Sequence, residues 1–158
     1  MLTSSSTDVV VFGSRKPNID YVQRRAAYLV SIDAGNVAMV GSGQNLFLPG
    51  GGSLPGEAAE MTVVREVREE LGRNVGPVHA VCEAIQYFYS QDDDCHYEML
   101  AVFFAGQLTN HLRNLVSEYS LKWLPIEEAT VSSFHECHAW AIRQSNDKGQ
   151  QIVGREAR

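Results

Sequence analysis

Cysteine is scarce in this chain. There are three, Cys82, Cys95 and Cys137, with no CxxC pair among them. An odd number cannot all pair within one chain, so a disulfide framework is excluded and reduced thiols in the cytoplasm are expected. Long apolar runs are missing too. None approaches the roughly 20 residues that a membrane-spanning helix needs. The opening MLTSSSTD lacks the basic region and apolar stretch of a secretory signal. Positive charge is in short supply, with 13 Lys and Arg against 19 Asp and Glu and a net charge of −6. That argues against non-specific nucleic-acid binding, which needs a basic surface. No internal repeat and no interior linker is visible. One domain over residues 1–158 is expected, long enough to bury a real core, with loose tails at 1–7 and 146–158.

What is there is concentrated between Gly51 and Arg73. A glycine run, Gly50-Gly51-Gly52, leads through Pro55-Gly56 into a stretch with helical periodicity. Val63, Val67 and Leu71 repeat every four residues and form an apolar stripe. Gly72 follows as a stop signal. Glu57 and Glu60 put negative charge at the helix start, where the dipole favours it. Residues three and four apart on a helix are neighbours, so Glu66 reaches both Glu69 and Glu70 on one face. Crowded carboxylates resist ionising beside one another. A hard divalent cation with oxygen ligands relieves that repulsion. Ala59 and Thr62 fall on the same side and leave room above the carboxylates. The bland alternative is a solvated acidic helix held by Glu–Arg pairs; the glycine run at a fixed distance counts against it. The same glycines do not make a P-loop, because no Gly-Lys-Ser/Thr follows.

The spacing from Gly51 through Glu57 to Arg65-Glu66-Val67-Arg68-Glu69-Glu70-Leu71-Gly72 resembles the Nudix box, G-x5-E-x7-R-E-U-x-E-E-x-G-U. It covers 23 of 158 residues and matches eight of nine defined positions. The departure is Arg73, where the family has an aliphatic residue. Val75 lies close by to supply that contact, and Arg73 is expected to run its stem along the surface with a wet guanidinium. The resemblance implies a Nudix-type α/β/α sandwich with a mixed β-sheet between helices. It implies hydrolysis of a pyrophosphate bond in a nucleoside diphosphate linked to another group, with Mg²⁺ or Mn²⁺ as cofactor. It makes Glu66, Glu69 and Glu70 metal ligands, joined by the backbone carbonyl of Gly50. Arg65 orients a carboxylate, and Glu57 is either a functional box residue or a helix-start charge. A metal also reconciles the acidic chain with an anionic substrate, since a bound cation inverts the local electrostatics.

Strand signals surround the helix. They fall at Asp8–Gly13, at Arg25–Ile32 with a turn at Asp33–Asn36, and at Val37–Val40 as its returning partner. Further ones are Leu46–Leu48, Val78–Tyr89, Tyr97–Gly106 and Leu121–Pro125. Ile126–Ala129 and Phe134–Gln144 read as helices. Relatives often use one more acid outside the box. Glu118, shortly before Leu121-Lys122-Trp123, is the candidate, with Glu83, Asp92, Asp93, Asp94 and Glu98 as competitors. Asp92–Asp94 reads as a solvated loop. His135-Glu136-Cys137-His138 lacks the HExxH spacing of a zincin and reads as a helix start with Trp140 and Ile142 packed behind it.

No subfamily marker fixes the substrate. Tyr87 and Tyr89 fall near the place where dinucleoside polyphosphate hydrolases carry a tyrosine. Tyr28, Tyr87, Tyr89, Phe103 and Trp123 either stack a base or fill core. The expected partner is a small nucleotide, with no membrane, nucleic acid disfavoured, and a monomer or homodimer. Two alternatives stand beside the hydrolase. One is a Nudix-fold sensor that binds without turnover, disfavoured by the intact acidic set. The other is an RNA-end pyrophosphohydrolase, disfavoured by the acidic balance.

Overall fold

The computed structural model describes residues 8–42, 45–112 and 117–156. In chain order the elements are β1 (Val10–Phe12), β2 (Tyr21–Val30), β3 (Ile32–Asp33), β4 (Asn36–Ser42), β5 (Asn45–Phe47), β6 (Gly50–Gly52) and α1 (Ala59–Leu71). There follow β7 (Arg73–Val75), β8 (His79–Ser90), β9 (Cys95–Ala105), β10 (Leu108–His111), β11 (Leu121–Pro125), α2 (Ile126–Ser132) and α3 (Glu136–Glu156).

The main sheet has the order β1-β8-β9-β2-β6. It is mixed: β1 with β8 and β2 with β9 run parallel, while β8 with β9 and β2 with β6 run antiparallel. A second sheet runs β11-β4-β3, with β5 on β4, and β7 pairs with β10. Side chains alternate across a strand, and β2 uses both faces. Ala27 and Leu29 join Val63 and Val67 of α1 and Phe104 of β9 in one core. Ala26, Tyr28 and Val30 join Met99, Ala101 and Phe103 of β9 and Ala141 and Ile142 of α3 in the other. The mixed sheet between helices is thus the expected α/β/α sandwich. Each buried Val, Leu or Phe contributes about 1.5–3 kcal/mol relative to exposure, so a charge at Val67 or Phe103, both 0% exposed, would break its layer.

Four readings of the sequence change. The strand over Val37–Val40 returns on the end of the Arg25–Ile32 stretch, with Val37 opposite Ile32 and the Ala38 N–H on the Ser31 carbonyl, but goes no further along β2. It pairs with the two-residue β3 and with β11, because both sides of β2 are taken by β9 and β6. The tail from residue 146, expected to be loose, is helical to Glu156 as the continuation of α3. It contains no proline, and Lys148 Nζ donates to the Val81 carbonyl, which docks the helix on β8. Residues 1–7 and 157–158 of the expected tails lie outside the described residues. Arg73 keeps its guanidinium at an exposed position as expected, but not free: the residue is half-buried and its Nη1 donates to the Thr109 carbonyl at 3.3 Å. Val75 does pack on the α1 core. Thr62 does not line open space: it is fully buried and bonded to Glu57.

Candidate active site

The glycines form an edge strand. β6 lies antiparallel on β2, with Gly50 opposite Tyr28, Gly51 opposite Ala27 and Gly52 opposite Ala26. Gly50 has φ +143°, and a Cβ there would come within 2.2 Å of the Ala27 carbonyl oxygen. Only glycine fits that backbone. At Gly51 a Cβ would fall 2.8 Å from the Glu66 carboxylate, so its absence opens the space in front of that side chain.

The chain then turns into α1 without a side-chain cap at Ala58. Glu57, one residue earlier, ties the turn to the helix through a side chain instead of a helix N–H. It accepts from the Leu54 N–H at 3.2 Å and from the Thr62 hydroxyl at 2.7 Å, and Thr62 Oγ1 is 2.7 Å from Ser53 Oγ. Glu60, not Glu57, occupies the first helical turn.

Arg65 gathers the carboxylates. Its Nε donates to Glu57 Oε2 at 2.9 Å and its Nη2 to Glu57 Oε1 at 3.0 Å and to the Gly52 carbonyl at 2.9 Å. Its Nη1 donates to Glu66 Oε1 at 3.0 Å and Glu69 Oε2 at 3.2 Å. The Arg65 and Thr62 hydrogen bonds hold the Glu57 carboxyl down at about 2. Partial burial pushes the Glu66 carboxyl up, against the pull of Arg65.

Glu70 is the outlier. It is 7% exposed and accepts the Gly50 N–H at 2.8 Å. Burial, with the charges of Glu66, Glu118 and Glu69, pushes its carboxyl up to about 8, against the Gly50 hydrogen bond. Glu69 and Glu70 also sit in the last turn of α1, the negative end of the helix dipole.

The end of α1 is closed by the chain beyond β10. Gly72, at φ +60°, donates to the Arg68 carbonyl. The N–H groups of Glu118 and Tyr119 donate to the carbonyls of Glu69 and Glu70 at 3.3 and 2.9 Å, and Leu112 N–H to Gly72 at 2.8 Å. Helix-end carbonyls that would lack partners are thereby satisfied. The same contacts bring Glu118, exposed, to the carboxylate end of the helix. The structure therefore assembles Gly50, Glu57, Arg65, Glu66, Glu69, Glu70 and Glu118 around one helix.

Other candidates lie elsewhere. Glu98 is bound to Arg15 and Tyr87, and Asp93 and Asp94 to Ser90, Tyr97 and Tyr89. His135 and His138 are buried at the start of α3. His138 Nδ1 accepts the Leu48 N–H at 3.2 Å. Trp140 and Ile142 pack behind them, as expected. Tyr28 and Phe103 fill core, 5.8 Å apart. Not picked out from the sequence as site residues are Arg24 and a run of rings, Phe47, Phe88, Tyr97 and Phe134, with His135 read there only as part of a helix start. Their only signal is the Arg24-Arg25 pair ahead of the apolar stretch of β2.

Among the described residues no three acidic, histidine or cysteine side chains converge as a metal cluster. Glu70 is turned to Gly50, and Glu66 and Glu69 to Arg65. The donor set nevertheless suits a hard cation. It is all oxygen, held at helical spacing, and Glu70 binds a proton where positive charge is lacking. The open space at Gly51 lies in front of it.

The NUDIX domain family matches residues 5–145 of the chain. No curated protein matches it. Among solved structures, a NUDIX hydrolase from Nitrosomonas europaea is similar, with a TM-score of 0.64 at 19% identity over 80% of this chain and 90% of that one. A MutT NUDIX hydrolase from Burkholderia pseudomallei has a TM-score of 0.57 at 17% identity over 78% of this chain and 98% of that one. An ADP compounds hydrolase has a TM-score of 0.59 at 15% identity over 82% and 76%. At these identities the structures speak for the fold, and the domain match over nearly the whole length speaks for descent: the chain belongs to the Nudix family of hydrolases.

Proposed function

We propose that this enzyme hydrolyses a pyrophosphate bond in a nucleoside diphosphate linked to another group, using Mg²⁺ or Mn²⁺ held by Glu66, Glu69, Glu70 and the Gly50 carbonyl. One observation carries the reading. Three carboxylates share the negative end of one helix, and one of them is pushed to about 8 by burial and by its neighbours. When bound, the cation neutralises the anhydride and polarises a phosphoryl oxygen.

The chain's own residues do the rest. Arg65 fixes Glu66 and Glu69 and is itself anchored by Glu57 and the Gly52 carbonyl. Glu57 is thus a positioning residue, acting through Arg65. The Gly50 N–H orients Glu70. Glu118, tied by its backbone to the helix end and exposed, accepts the proton of the attacking water. The water oxygen bonds to phosphorus as the anhydride P–O bond breaks, and the departing phosphate carries away the bond pair.

The same reading has the enzyme acting as one domain in the cytoplasm, as a monomer or homodimer on a small nucleotide. Three unpaired cysteines fit that setting. None of the described helices is long and apolar enough to cross a membrane. Formation of nucleoside monophosphate from a nucleotide panel with Mg²⁺, with and without chelator, tests the proposal. Chelator-sensitive turnover is expected. Tight nucleotide binding without turnover would instead make the chain a sensor.

A further inference from the structure

Arg24 lies on β2 just beyond its pairing with β6, two residues before Ala26, which is opposite Gly52. A Cβ on Gly52 would come within 3.1 Å of its Nε and 3.2 Å of its Nη2. The Nε is buried and meets no hydrogen-bond acceptor among the described residues. The ion pairs of the described residues belong to Arg15 and Arg65, and Arg24 forms none. A buried donor without an acceptor is costly and needs an explanation. A ligand supplying acceptors is one.

The surroundings describe that ligand. The guanidinium carbon stands 5.5 Å from the Tyr97 ring centroid. Rings continue from there: Phe88 is 5.3 Å from Tyr97, His135 4.6 Å from Phe88, and Phe134 4.9 Å from His135. Tyr97 and Phe88 are half-buried and Phe134 is 48% exposed, so this wall opens to solvent. The position agrees as well. Gly51 faces Glu66 and Gly52 faces Arg24, so the two side chains flank the same edge strand from its two sides. A phosphoanhydride at the carboxylates then leaves its organic end on the Arg24 side of β6.

A guanidinium donates only, and its fork matches two adjacent acceptors. The O6 and N7 atoms of a 6-oxopurine offer that pair, whereas adenine puts a donor at the first position. Open aromatic rings stack a planar base. We infer that Arg24, backed by Tyr97, Phe88 and Phe134, binds the base of a 6-oxopurine nucleotide and sets the enzyme's base preference. This rests on reading the carboxylate site as a nucleotide hydrolase.

The test is binding of GMP, IMP, AMP and pyrophosphate to the full chain, to Arg24→Met and to Arg24→Lys, beside Mg²⁺-dependent hydrolysis of the matching triphosphates, followed by the nucleotide products. GMP and IMP should bind roughly 10-fold or more tightly than AMP, in line with the discrimination of a bidentate contact. Both variants should lower them to the AMP level and leave pyrophosphate within about two-fold, because lysine keeps the charge but loses the fork. If Arg24→Met does not fold, Tyr97→Leu, which removes the ring beside the guanidinium, should narrow the same preference. Equal loss for all three nucleotides and pyrophosphate would assign Arg24 to phosphate and overturn the inference, as would unchanged preference in folded variants. Unchanged preference with intact turnover would overturn the base assignment alone. No hydrolysis of any of these triphosphates by the unaltered chain, to monophosphate and pyrophosphate or to diphosphate and phosphate, would overturn the hydrolase reading and the inference together.

Discussion

Glu70 Oε1 accepts the backbone N–H of Gly50 at 2.8 Å, across twenty residues of chain. The bond ties the glycine strand to the last turn of α1, so the Glu70 carboxyl and the strand that faces it move as one unit. The carboxyl is pushed up to about 8, and Gly50 therefore orients a group that holds a proton at neutral pH.

Glu69→Gln and Glu70→Gln should each keep the fold and lose activity by more than the roughly 10–100-fold typical of residues behind a ligand shell. Each removes one charge with little change of shape. Near-normal Mg²⁺-dependent turnover in either folded variant would remove that residue from the ligand set. With chelator present, Glu70→Gln should melt no lower than the unaltered chain, since relieved crowding offsets the lost carboxylate.

Gly51→Ala should fold and lose activity, because its methyl group would sit 2.8 Å from the Glu66 carboxylate. Glu66→Gln in the same background should cost little more. Additive losses in that double-mutant cycle would show that Gly51 does not act through Glu66.

The metal-free protein should be most stable near pH 6.5. Burial lowers His135 from 6.5 to about 4 and His138 well below 6.5. The unfolded chain then binds more protons below pH 6.5, so this stability is present above 6.5 and lost as pH falls towards 4. Glu57, held at about 2, adds a further loss below 4.5. Glu70 works in the opposite sense: raised from 4.5 to about 8, it binds a proton in the folded state, and stability falls as pH rises from 4.5 to 8. Each of the buried groups, His135, His138 and Glu70, contributes a slope of at most about 1.4 kcal/mol per pH unit. Urea unfolding from pH 5 to 8 measures the sum. His135→Phe should flatten the acid side and Glu70→Gln the alkaline side; a stability that rises steadily to pH 8 in chelator would contradict the Glu70 assignment.

Arg73→Leu should leave turnover within a few-fold and change stability by at most about 1 kcal/mol. Its guanidinium reaches the Thr109 carbonyl in β10, away from the carboxylates. A large loss of activity in a folded variant would mean that the arginine touches substrate.

The α1 site was legible because helical spacing alone decides which carboxylates are neighbours. Gly51, Glu57, Arg65, Glu66, Glu69 and Glu70 lie within one continuous segment. Contacts set by pairing of distant strands were not legible. Three glycines read as a turn, yet Gly50–Gly52 is an edge strand because Ala26–Tyr28 offers a free side. Arg24 carries no sequence signal of its own; its place beside Gly52 follows only from Ala26 lying opposite Gly52. The partner of β4 beyond its first residues was misread for the same reason: a hairpin turn fixes the nearest residues, whereas β9, seventy-five residues further on, decides what lies beside β2. Short strands such as β7 and β10 carry too few residues to show a period.

The clasp at the end of α1 has a consequence for length variation. Leu112 N–H is fixed to the Gly72 carbonyl and Glu118 N–H to that of Glu69, so the intervening segment begins and ends on the same helix terminus. Closing a longer loop between fixed ends costs only about 0.6 kcal/mol per doubling. A change in chain length between the two anchors would then leave the attachments at Gly72 and Glu69, and with them the helix that carries the carboxylates, in place.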